Sequence, residues 1–158
     1  NLCEDVFFSG TVAAAYTGHL YGVPSLAVSL IAGKKGKFDF KTGARITGEV
    51  LDKLLPLHDH AVVYNLNIPY GTNGKLRVTS IGLKRYKPTV VERLDPRRRK
   101  YYWIGTGEPE TRGEKGTDLQ AIAEGNISLS VLKYDLNELR EMNKLNDVFK
   151  FNERENKN

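Results

Sequence analysis

The side chains best suited to chemistry stand near the start of the chain. Ser9-Gly10-Thr11 heads the alanine-rich run Val12-Ala13-Ala14-Ala15. Ala is the strongest helix former, so the run predicts a helix beginning at Gly10 or Thr11. A helix N-terminus presents unpaired N–H groups and partial positive charge, and so takes up phosphate. Gly10 lets an anion approach the backbone, and the Ser9 and Thr11 hydroxyls add donors. The same three residues also read as a plain cap, with Ser9 Oγ accepting a first-turn N–H. Glu4 and Asp5 precede the helix; they either complement its dipole or hold a metal through water. His58-Asp59-His60 would put two imidazoles on one side of an extended chain. No further ligands follow at a metal-site spacing, so a solvated turn is the favoured reading. Cys3 has no evident His partner, which argues against a thiol nucleophile.

A second candidate is basic and aromatic. The chain has 24 basic and 19 acidic residues, a net charge of +5. Ten of the basic residues, but only two acidic ones, fall between Lys75 and Lys100. Arg97, Arg98, Arg99 and Lys100 run directly into Tyr101, Tyr102 and Trp103. Cations for phosphates beside rings for base stacking suit a nucleic-acid surface. The favoured alternative is an arm whose rings bury against another subunit while its arginines stay wet.

The elements that must position these groups follow from periodicity. The first helix ends where Gly22 is followed closely by Pro24. Pro24–Ala32 reads as a strand apolar on both faces, the kind found inside covered parallel sheets. Phe40, Ala44, Leu51, Leu54 and Leu55 recur at helical spacing, and Pro56 ends that segment. Ala61–Pro69 is a second apolar strand. Helix–strand–helix–strand predicts an α/β fold with crossover units and a parallel sheet. "LRVTSIGL" alternates like a half-wet strand. "PTVVERL" and "RKYYWIGT", joined around "DPRRR", predict a β-hairpin arm. Thr117 or Asp118 is expected to cap a short helix through Ala123, and "NISLSVL" to form a strand. Leu136, Leu139, Met142, Leu145 and Val148 step along one face of a final amphipathic helix. Two or three parallel strands alone leave open edges, so the fold is expected to need a partner or further strands.

No apolar stretch approaches the ~20 residues of a membrane span, and no secretory signal is recognisable. The single cysteine cannot form an intrachain disulfide, and the cytoplasm is the expected compartment.

The stretches "NLCEDVFFSGTVAAAYTGHLYGVPSLAVSL", "YNLNIP", "VTSIGLKRY", "DPRRRKYYWIGTGEPE" and "GTDLQAIAEGNISLSVL", in this order and spacing, resemble the SurE stationary-phase survival phosphatases. The resemblance runs from Asn1 to about Asp135. It implies a Rossmann-like α/β phosphatase fold, present here in part, with an extended β-hairpin arm and a C-terminal segment that exchange between subunits to give dimers or tetramers. It implies metal-dependent hydrolysis of nucleoside 5′- and 3′-monophosphates, with short polyphosphate as a further substrate. The family's divalent metal, Mg²⁺ or Mn²⁺, is held by two consecutive Asp, a Ser and the Asn of a Gly-Ile-Asn motif. None of these ligands is present, so this chain alone is expected to be inactive, with the catalytic residues expected upstream of Asn1. The phosphate contacts do carry over, onto Asn1, Ser9, Gly10 and Thr11. Many bacterial members have His where this chain has Gln120, so any role of that His does not transfer.

The organisation expected on this basis is residues 1–70 as part of the phosphatase core, 71–135 as a β-rich arm returning to the core, and 136–158 as a C-terminal helix with a polar tail. The expected partners are a nucleoside monophosphate and other copies of the chain, with no membrane. The alternatives are a nucleic-acid-binding module built on the arm, or a segment that serves oligomerisation only.

Overall fold

The computed structural model describes residues 1–57, 62–84, 88–106 and 114–149, with only the backbone described at 88–89 and 104–106. His58, Asp59 and His60 lie outside the described residues.

A one-turn helix over Cys3–Phe7 leads into helix α1 (Gly10–Leu20). Then follow strand β1 (Leu26–Ile31), helix α2 (Phe40–Leu54), and strands β2 (Val62–Pro69) and β3 (Leu76–Thr79). Strands β4 (Pro88–Leu94) and β5 (Lys100–Thr106) precede helix α3 (Asp118–Ala123), strand β6 (Ile127–Lys133) and helix α4 (Leu139–Val148).

The elements start and stop where local chemistry directs. Ser9 Oγ accepts from the Val12 N–H at 3.2 Å, and Asp39 caps α2 through the Thr42 N–H at 3.0 Å. Past α1, Gly22 takes φ +74°, a left-handed conformation that side chains disfavour. Gly18 within α1 stands where a Cβ would lie 2.6 Å from Ser25 Oγ. The helix therefore approaches the start of β1 closely because residue 18 has no side chain.

The main sheet has the order β1-β2-β6-β3. β1 and β2 are parallel, as the crossover pattern predicts. β6 enters antiparallel to β2, and β3 runs parallel to β6, so the sheet is mixed. β1 is an edge strand among the described residues, and of its residues only Ala27 is buried. Its apolar sequence predicts cover on both faces; among the described residues no strand pairs with its outer edge.

The two faces of the sheet differ in chemistry. On one, Leu66 and Ile68 of β2 join Ile127 and Leu129 of β6 under Ile46 and Val50 of α2. On the other, Val12 of α1 packs on Ala27 and Leu132, but the centre is polar. Asn65, Asn67, Ser128 and Ser130 are buried there, with Thr79 bonded to Ser128 and Ser130 at 2.8 and 2.9 Å. The register explains this: Ser29, Asn67 and Ser128 form one cross-strand row, and Asn65, Ser130 and Thr79 the next.

β4 and β5 form the expected antiparallel hairpin, separate from the main sheet. Tyr101, Tyr102 and Trp103 are exposed on it, as is the apolar stripe of α4. At the hairpin turn, the Asp95 carboxylate accepts from the Arg97 and Arg99 N–H groups, each at 2.8 Å, and from Arg99 Nε at 2.9 Å. The Arg99 backbone bond is the main cause holding the Asp95 carboxyl below its ordinary pKa. A depressed folded pKa means the turn's stabilisation is complete above the unfolded value of ~3.9 and is lost as pH falls through the lower folded value. The Arg97 and Arg99 amide resonances are therefore expected to titrate below that value. In Asp95→Ala the titration should vanish.

Candidate functional site

The polar face of the sheet is where the start of the chain is held. Asn67 brackets Asn1: its Oδ1 accepts from the Asn1 nitrogen at 2.9 Å, and its Nδ2 donates to the Asn1 carbonyl at 3.1 Å. Asn65 Nδ2 donates to the same carbonyl at 2.9 Å. The Asn1 side chain donates to Ser29 Oγ and accepts from Ser9 Oγ, both at 2.6 Å. Asn1 is thus the link between the cap of α1 and strands β1 and β2.

The structure brings Asn1 and Ser9 into direct contact and sets Gly10 and Thr11 on the first turn beside them, both exposed. Nothing lies within 4 Å of where a Gly10 Cβ would be. The Val12 N–H is used by Ser9 Oγ and the Ala13 N–H by the Ser9 carbonyl at 2.9 Å. The Gly10 and Thr11 N–H groups are the ones left to face a ligand or water. No acidic residue occupies the first turn. Ser9 has one hydroxyl proton, directed to Asn1 Oδ1, so in this arrangement Ser9 orients Asn1 and the helix, while Thr11 carries the available hydroxyl. In α/β sheets, ligands bind outside the carboxyl ends of the parallel strands, and Asn67 lies near that end of β2.

Glu4 and Asp5 are engaged by one lysine. Both Glu4 carboxylate oxygens accept from the Lys84 N–H at 2.8 Å, and Lys84 Nζ pairs with Asp5. Among the described residues, no three His, Cys, Asp or Glu side chains come together in a way that could hold a metal ion. The described residues therefore do not fit the divalent metal implied by the resemblance. One buried side-chain atom among them, Asn65 Oδ1, has no hydrogen-bond partner.

Cys3 is fully buried at φ +56°, outside the ordinary range for a side chain. Burial first, then the neighbouring Asp118 carboxylate, push its thiol up to about 12. A thiol held in this way is not a nucleophile at neutral pH. Gln120 bonds within its own neighbourhood, accepting from the Gly116 N–H at 2.8 Å and donating to Glu124 at 2.9 Å.

Sequence reasoning misses Ser29, Asn65 and Asn67, and reads Asp118 only as a possible helix cap. The signal for two of them was present: Asn at alternate positions of an apolar strand marks one face as polar.

A mixed sheet with helices on both faces, and a helix N-terminus near the carboxyl ends of its parallel strands, places the chain in the α/β class. A family profile described as "Survival protein SurE" matches residues 1–88, more than half of the chain, and the chain belongs to the SurE family. It is 42% identical over 152 residues to "5'-nucleotidase SurE" of Chloroflexus aggregans, covering 92% of this chain and 59% of that protein. It is 38% identical over 146 residues to the protein of the same name from Herpetosiphon aurantiacus, covering 88% and 56%. The crystal structure of SurE protein from Aquifex aeolicus superposes with a TM-score of 0.78 at 31% identity, over 94% of this chain and 60% of that one. The chain thus spans less than two thirds of the length of these relatives. No helix among the described residues is long and apolar enough to cross a membrane.

Asn67 makes two hydrogen bonds to the Asn1 backbone, one accepted and one donated, and both can be removed by one substitution. Asn67→Ala leaves the Asn1 carbonyl with a single donor, Asn65 Nδ2, and takes from the Asn1 nitrogen its Asn67 Oδ1 acceptor. It is expected to lower stability by about 1–3 kcal/mol, read as a shifted denaturation midpoint with an unchanged slope.

Proposed function

We propose that the intact protein carrying this chain is a phosphomonoesterase that releases phosphate from nucleoside 5′-monophosphates, with 3′-monophosphates and short polyphosphate as further substrates. The observation that carries this is the open first turn of α1, whose cap is fixed through Asn1 to the ends of two parallel strands. The names of the similar proteins from Chloroflexus and Herpetosiphon supply the reaction class.

In this reading the phosphate oxygens accept from the Gly10 and Thr11 N–H groups and from the Thr11 hydroxyl. These donors and the helix dipole are in place before the P–O ester bond breaks, so they stabilise the charge of the transition state without reorganising. Ser9 and Asn1 hold the turn in register with the sheet. Water adds to phosphorus, the nucleoside leaves as its alcohol, and inorganic phosphate remains. The divalent metal, Mg²⁺ or Mn²⁺, is assigned to residues outside this chain, and activity to the intact protein rather than to this chain alone. Cytoplasmic location is part of the same proposal.

The exposed rings of the β4–β5 arm and the exposed Leu139, Met142, Leu145 and Val148 of α4 support a dimer or tetramer built through these two elements. Apolar faces of this kind are covered in oligomers. We treat the segments 1–70, 71–135 and 136–158 as core, arm with return, and C-terminal helix with tail.

Thr11→Val in the intact protein is expected to lower kcat/KM for a nucleoside monophosphate by about 10²-fold, and unchanged kinetics would remove Thr11 from the cradle. Deleting residues 88–105 should reduce the mass measured by light scattering; retention of the full oligomer would assign assembly elsewhere.

A further inference from the structure

Asp118 is fully buried and is not its helix's cap: the Thr117 side chain takes that place, accepting from the Gln120 N–H. The Asp118 carboxylate instead collects donors from two distant segments and from its own helix. Oδ2 accepts from the Cys3 N–H at 2.7 Å. Oδ1 accepts from the Gly82 N–H at 2.9 Å and the Leu119 N–H at 2.8 Å, with Cys3 Sγ at 3.7 Å. The space is closed around them, since a Cβ on Gly82 would lie 3.1 Å from Asp118 Oδ1 and 3.3 Å from Cys3 Sγ.

This junction sits two residues from Asn1 and six from Ser9. The turn carrying the candidate phosphate site is therefore pinned twice. Asn65 and Asn67 hold its first residue, and Asp118 holds Cys3, with Lys84 gripping Glu4 and Asp5 just beyond. Cys3 also carries a left-handed backbone, which persists only where surrounding bonds enforce it. A carboxylate accepting several N–H bonds is a strong enforcing group.

We propose that Asp118 is a positioning residue of the phosphate site: by holding the Cys3 N–H it sets the path of residues 1–11 and so the placement of Asn1, Ser9, Gly10 and Thr11. The proposal rests on the phosphate-binding role given to that turn above. Asp118 touches no substrate; its effect passes through the backbone. A misplacement of an ångström at a positioned group is enough to weaken catalysis by orders of magnitude.

Asp118→Asn is the discriminating variant. An amide has one oxygen where the carboxylate has two, so the set of Cys3, Gly82 and Leu119 N–H groups cannot all keep their acceptors. Gly82→Ala is the companion, crowding the same junction while leaving every hydrogen-bonding group in place. Both are made in the intact protein and compared with wild type by three measurements. These are the alkylation rate of Cys3 mapped by peptide mass, the inhibition constant of inorganic phosphate, and KM and kcat for a nucleoside monophosphate. We expect Asp118→Asn to speed Cys3 alkylation about tenfold and to raise the phosphate inhibition constant and KM by about tenfold, with a smaller change in kcat. Gly82→Ala should move all three in the same direction by less.

Faster alkylation with unaltered phosphate inhibition and KM in both variants would overturn the positioning role, leaving Asp118 as a structural clamp only. Unaltered alkylation would overturn the clamp itself. A wild-type protein that neither cleaves the nucleotide nor is inhibited by phosphate would instead overturn the reading of the site, and the positioning role would fall with it.

Discussion

The pairing of Asn67 with the backbone of Asn1 is the contact on which the placement of the α1 cap depends. A strand interior normally spends its side chains on packing. Here β2 devotes two consecutive residues of one face, Asn65 and Asn67, to holding a single remote residue. A buried amide is costly unless its groups are paired. Asn67 meets that condition by presenting donor and acceptor together to Asn1. The arrangement works because the opposite face of β2 carries Leu66 and Ile68, which pack under Ile46 and Val50 of α2. One face of the sheet supplies cohesion, which lets the other be used for placement.

From that contact the geometry propagates in short steps. Asn1 links to Ser9, Ser9 caps α1, and the cap leaves the next two N–H groups open. On the other side, Cys3, Glu4 and Asp5 are tied to the segment after β3 and to α3. Residues far apart in sequence thus converge on a nine-residue turn. The acidic side chains of this turn, Glu4 and Asp5, both bond to Lys84, through its backbone N–H and its Nζ respectively.

What was legible in the sequence was the local part. The Ser9 cap, the stop at Gly22, the extent of α2 and the hairpin each follow from neighbours within a few positions, but the buried face of α2 does not: Phe40, Ala44 and Leu55 of the expected stripe are exposed, and Gly43, Ile46 and Val50 are buried instead. The parallel β1–β2 pair was legible too, because a helix between two apolar strands leaves few alternatives. The antiparallel entry of β6 was not, since no short-range signal fixes where a distant strand inserts. Asp118 illustrates the same limit. Beside Thr117 it looked like an equal candidate for the cap, and its actual partners lie at Cys3 and Gly82, which only the tertiary fold brings near. The direction of the Ser9 proton was likewise hidden, because it depends on Asn1 being anchored by β2.

We propose the first turn of α1 as the phosphate cradle. Titrating a nucleoside monophosphate into the isotopically labelled intact protein, and following the Gly10, Thr11 and Val12 amide resonances, tests it most directly. The account predicts saturable shifts largest at Gly10 and Thr11, reproduced by inorganic phosphate. Shifts confined to other elements, with these two amides unmoved at saturation, would contradict it.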